Sequence, residues 1–106
     1  MNTEVEPVHI GQEDDIDVGS VENFEHEEID YAIFRLPSGF FATQGLCTCE
    51  DNAYLSEANI GGEELECAVC GNIYSIVSGD PISDLDLSPL KIYDVSEEAG
   101  SIYLNL

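Results

Sequence analysis

Basic residues are almost missing from this chain. Arg35 and Lys91 alone oppose 23 acids, which leaves a formal net charge of −21 over 106 residues. Such a surface cannot gain affinity for nucleic acid by displacing counterions from phosphate. It is repelled by an anionic membrane face for the same reason. Long apolar runs are missing as well, and none approaches the ~18 residues of a membrane span. The start, MNTEVEPVHIG, has neither the basic cluster nor the apolar stretch of a secretory leader, so the expected compartment is the cytoplasm. There is no glycine-rich phosphate loop and no internal repeat. With so many carboxylates, no pair stands out for general acid–base work. No catalytic constellation appears, and the chain does not read as an enzyme.

What remains is enough for one folded domain. Hydrophobic residues make up 43% of the chain, and a chain of this size buries about two-thirds of its unfolded surface. The N-terminal third is acidic, yet Val5, Val8, Ile10, Ile16, Val18, Val21, Phe24 and Ile29 are spaced like short, half-buried strands. Tyr31–Leu36 is rich in β-formers. It runs into the turn residues Pro37-Ser38-Gly39, and Phe40–Thr43 follows at hairpin distance. Ile73–Val77 reads as a strand stopped by Ser78-Gly79-Asp80-Pro81. Lys91–Val95 and Ser101–Leu106 read as a terminal hairpin around Ser96–Gly100. No helix longer than a turn or two is expected. The fold class is all-β, a small barrel or sandwich carrying a binding insertion. The basal part covers about residues 1–45 and 90–106, and the binding part about 46–89. The segment 46–71 is polar and glycine-containing and is expected to be tied together only through its cysteines.

Those cysteines are Cys47, Cys49, Cys67 and Cys70, as Cys47-Thr48-Cys49 and Cys67-Ala68-Val69-Cys70-Gly71. A disulfide within Cys47-Thr48-Cys49 would be strained, and a cytosolic setting disfavours bridges. A redox pair at Cys67 and Cys70 would need a following helix to lower the thiolate pKa, and Gly71–Val77 reads as turn and strand. Two metal readings stay open. Four thiolates in two close pairs can complete a tetrahedral zinc or single-iron site. Two short loops, each presenting two thiolates, also suit an [2Fe–2S] cluster. His9 and His26 lie far outside the motif and read as solvated surface residues.

The stretch Phe40–Glu50 resembles the first cluster loop of Rieske-type ferredoxins, the small electron carriers of bacterial oxygenase systems. Their pattern is Cys-x-His, about seventeen residues, then Cys-x-x-His. The spacing is kept here, with Cys49 and Cys70 standing where the histidines belong. Tyr31–Phe34, Gly71, Ser78-Gly79 and Leu90–Tyr93 match the family's flanking features. The resemblance implies a Rieske-type barrel and an [2Fe–2S] cluster on four cysteines, with Cys47 and Cys67 on one iron and Cys49 and Cys70 on the other. It also implies that a flavin-containing reductase supplies electrons and a terminal oxygenase or hydroxylase receives them. A four-cysteine zinc module of the same fold is the alternative. The family's covering loop is proline-rich. Its counterpart Ser83–Pro89 holds only Pro89, so a mobile cover with Asp84 and Asp86 near the cluster is expected.

The acidity admits two readings. Acids near the cluster (Glu50, Asp51, Glu57, Glu63, Glu64, Glu66, Asp84 and Asp86) could steer docking on a positive partner. Acids spread along the whole chain also fit a halophilic protein, whose self-repulsion is screened at molar salt.

Overall fold

The computed structural model describes residues 7–47, 53–84 and 86–105. Among them there is no α-helix, and two sheets carry the fold. The larger is built from β1 (Val8–Gln12), β2 (Ser20–His26), β3 (Ile29–Leu36), β4 (Gly39–Gln44), β8 (Ile92–Glu98) and β9 (Ser101–Asn105). Its order is β1-β9-β8-β4-β3-β2, antiparallel throughout, and it curls into a nearly closed barrel. The smaller sheet holds β5 (Asn59–Gly61), β6 (Glu64–Glu66) and β7 (Ile73–Ser75), with β6 in the middle. The acidic N-terminal third is therefore folded from Val8 onward.

Strand β3 explains how the two sheets meet. Its side chains alternate with the period of 2 that a pleated strand imposes. Tyr31 and Ile33 point into the barrel, where they pack with Ile16, Phe40, Ala42, Ile102 and Leu104. Ala32, Phe34 and Leu36 point the other way, into a second core with Leu55, Leu65, Tyr74, Ile76 and Leu90. Because both faces are buried, β3 reads as a nearly continuous apolar run. Leu55 and Leu65 are essentially inaccessible at 0% and 1% exposure. The segment 46–71 thus has its own share of the core, contrary to the expectation that cysteines alone tie it together. Single leucines between acids hide this in the sequence, because a three-residue strand shows only one inward position.

The hairpin at Pro37-Ser38 forms as expected, with Leu36 opposite Gly39. The terminal hairpin turns later than expected. Asp94–Glu98 pairs fully with Ser101–Asn105, and the turn is only Ala99-Gly100, at φ 51° and 84°. Ser96 to Glu98 continue the strand because that two-residue turn matches the strand twist. The strand at Ile73 ends at Ser75 rather than Val77, since the Gly79 N–H donates back to the Ser75 carbonyl at 2.9 Å and closes a turn there.

Arg35 serves the barrel. Its guanidinium donates to the Glu13 and Ile16 carbonyls at 2.8 and 3.0 Å and lies 5.1 Å from the centre of the Phe40 ring. Among the described residues no lysine or arginine forms an ion pair with a carboxylate; His26 and Glu27 approach to 3.8 Å.

Candidate metal centre

The first cysteine loop leaves the end of β4. Gly45 lies directly on the chain of β3: its N–H donates to the Asp30 carbonyl at 2.8 Å, and a Cβ there would stand 2.5 Å from the Asp30 carbonyl carbon. No side chain fits. The loop closes on itself where Leu46 bridges Tyr54, the Leu55 N–H donates to Gly45, and the Cys47 N–H donates to the Ala53 carbonyl at 2.7 Å. Cys47 is thereby held at the base of the loop and buried.

The Gln44 side chain clamps this loop to the barrel. Its Nε2 donates to the Leu46 carbonyl at 2.7 Å, while its Oε1 accepts the Lys91 N–H at 2.8 Å. In the sequence Gln44 stands only within the stretch that resembles the family, with no role of its own. A glutamine at a strand end carries no local signal of such a bridge, because Lys91 is far away in the chain.

The second pair of cysteines occupies the turn between β6 and β7. The Cys67 N–H donates to the Asn72 carbonyl at 2.9 Å, and the Gly71 N–H returns to the Cys67 carbonyl at 3.0 Å. Closing so tight a turn drives Gly71 to φ 75°, a left-handed conformation that L side chains adopt only at a cost. The turn is seated from behind. Leu65 and Tyr74, opposite each other on β6 and β7, point into the second core together with Cys47 and Cys67.

The covering segment docks on β7. The Ile82 N–H donates to the Ile73 carbonyl at 2.7 Å, the Ile73 N–H donates to Ser83 Oγ at 2.9 Å, and Tyr74 bridges Pro81. Asp84 organises its own turn by accepting the Asp86 N–H on its carboxylate at 3.0 Å. That carboxylate therefore has a local structural task.

Three of the four cysteines come together. The Sγ atoms of Cys47, Cys67 and Cys70 all lie within 4.8 Å of one another, and those of Cys47 and Cys70 are 3.6 Å apart. That separation far exceeds a disulfide bond of about 2.05 Å. It is close to the edge of about 3.8 Å that a tetrahedron with metal–sulfur bonds of about 2.3 Å requires. Cys47 and Cys67 are buried and Cys70 is exposed. The donor set is soft, suited to iron or zinc rather than to hard cations. Cys49 lies outside the described residues, as do Glu50 and Asp51. Neither histidine joins the group: His9 packs 5.3 Å from the Tyr103 ring, and His26 stacks on Phe24.

No family model matches the chain. Ferredoxin CarAc of Metapseudomonas resinovorans, however, is 32% identical over 73 residues, which span 69% of this chain and 67% of that protein. The chain belongs to the Rieske-type ferredoxins. The biphenyl dioxygenase ferredoxin subunit of a Pseudomonas strain, KKS102, is 25% identical over 92 residues, covering 87% of this chain and 84% of the relative. Among solved structures, a chain from the complex of reduced oxygenase and oxidized ferredoxin in carbazole 1,9a-dioxygenase superposes with a TM-score of 0.86 at 25% identity, covering 93% of this chain and 92% of its own. As a Rieske-type ferredoxin, the protein is an electron carrier and not a catalyst. The all-β barrel expected from the resemblance is the fold observed.

Proposed function

We propose that this ferredoxin relays single electrons from a reductase to a terminal oxygenase or hydroxylase, through an iron–sulfur centre on Cys47, Cys49, Cys67 and Cys70. The observation that carries the reading is the trio of thiolates gathered on a Rieske-type scaffold, in a chain whose relatives are named as ferredoxins of dioxygenase systems. Iron bound there supplies a one-electron couple, whether as the [2Fe–2S] cluster that the family resemblance implies or as a single ion.

The chain's own residues supply the rest. Cys47 and Cys67 sit in the apolar core, which keeps water off that side. Cys70 is exposed, and its neighbour Val69 is 58% exposed, so electrons enter and leave at this end. Glu63, Glu64 and Glu66 line the strand leading into the cysteine turn and face solvent. They steer this end toward a positively charged partner surface, an effect that weakens as salt is raised. The site of action is the cytoplasm, and the unpaired acidity suits a concentrated salt solution.

The test is direct. Purified protein should be coloured, its visible absorption should bleach with dithionite, and air should restore it. Colourless protein containing zinc would overturn the electron-carrier reading and favour a structural or interaction module.

A further inference from the structure

The two possible iron centres place their thiolates differently. An [2Fe–2S] cluster is two tetrahedra sharing an edge of two sulfides. With bonds of about 2.3 Å throughout, thiolates on one iron stand about 3.8 Å apart, and thiolates on different irons about 5.3 or 6.5 Å apart. Each iron takes only two thiolates. Any three cysteines on such a cluster must therefore include two pairs separated by more than about 5 Å. A single tetrahedral ion holds every pair at about 3.8 Å.

The observed trio matches the second pattern. All three pairs lie within 4.8 Å. The pair Cys47 and Cys70, at 3.6 Å, is one that the family arrangement assigns to different irons. Opening it to about 5.3 Å takes a χ1 rotation that swings one sulfur out of the trio or a shift of one of two backbone-pinned turns. Cys47 is fixed by its N–H bond to Ala53, and Cys70 lies in the turn closed between Cys67 and Asn72. Both turns rest on the same buried core, since Cys47 and Cys67 belong to it together. A histidine reaches farther from the backbone than a cysteine, so replacing histidine by cysteine draws the two loops inward.

We infer that Cys47, Cys67 and Cys70 hold one metal ion in common, and that this chain has exchanged the family's two-iron cluster for a single-ion thiolate centre. The inference rests on the electron-carrier reading only for the identity of the metal, which is then iron. No inorganic sulfide is part of such a site.

The experiment is anaerobic loading of the metal-stripped full chain with ferrous iron and sulfide together, followed by desalting. Metal and acid-labile sulfide are then counted per chain, and electron paramagnetic resonance spectra are taken oxidised and reduced. Metals are counted as well in protein isolated from cells without such treatment. The expected result is one iron per chain, no labile sulfide, and an oxidised form that is paramagnetic with high spin. Two irons and two sulfides per chain, with an oxidised form silent in resonance and a signal only after reduction, would overturn the inference and leave the electron-carrier reading standing. One zinc per chain in the isolated protein, with no iron, would support the single-ion geometry and overturn the electron-carrier reading.

Discussion

Replacing Leu65 by alanine separates the two things that hold the smaller sheet: its core and its metal. Leu65 is 1% exposed and packs in the core with Phe34, Leu55, Tyr74 and Ile76, all at 0%. These neighbours come from both sheets and cannot collapse onto a vacated site without shifting strand pairing. The cost should therefore fall in the upper part of the usual leucine-to-alanine range, about 3–5 kcal/mol. A domain of this size has roughly 5–15 kcal/mol of stability in total, so the variant still folds. Each kcal/mol is worth about 4–5 °C in Tm at this chain length, which predicts a drop of about 12–25 °C. Chemical denaturation in molar salt measures the loss, and amide exchange locates it. Residues 55–75 should lose protection in Leu65→Ala with metal bound. In the parent protein stripped of metal, only the cysteine turns should loosen, while β5, β6 and β7 stay protected. A cost below about 1 kcal/mol, together with unfolding of 55–75 on metal removal alone, would refute the claim that the core carries this sheet.

Gly71→Ala should weaken metal retention up to about thirtyfold, because a left-handed residue with a Cβ costs roughly 1–2 kcal/mol and a Cβ there meets nothing within 4 Å; competition with a chromogenic chelator measures it, and Gly61→Ala is the neutral control. Raising salt from dilute to molar should raise Tm by more than 4–5 °C, the equivalent of about 1 kcal/mol, and an unchanged Tm would remove the halophilic reading. Burial, followed by the nearby Tyr93 and Glu27, raises the Tyr31 phenol above its usual pKa. The folded state then holds this proton more tightly than the unfolded chain, so the contribution is complete below about pH 10 and is lost as pH climbs through the raised value. Denaturation curves for Tyr31→Phe should lack that part of the alkaline loss.

Much of the barrel was legible because its signals are local. The Tyr31–Leu36 run, the Pro37–Gly39 turn and the closing hairpin each declare themselves within a few residues. The cysteine spacing pointed to the metal centre, and the resemblance pointed to the family. The misses share a cause in distance or in atypical residues. The Gln44 clamp joins positions far apart in the chain. Leu55 and Leu65 are isolated among acids and acquire meaning only once β3 is known to be buried on both faces. The turn at Glu27-Glu28 has both residues at positive φ, 52° and 69°. Such a turn normally announces itself with asparagine or glycine, and two glutamates give no such notice. Nuclearity was beyond the sequence altogether, since spacing along the chain sets which cysteines meet and not how closely.

An electron carrier on an all-thiolate centre has a characteristic response to pH. Protein-film voltammetry between about pH 6 and 10, the region spanning histidine-type titrations, tests it most directly. A thiolate ligand has no ring N–H to lose on oxidation. The protein should therefore give one reversible one-electron wave whose potential stays nearly flat across that range. Absence of any wave, or a potential falling steeply with alkaline pH, would contradict it.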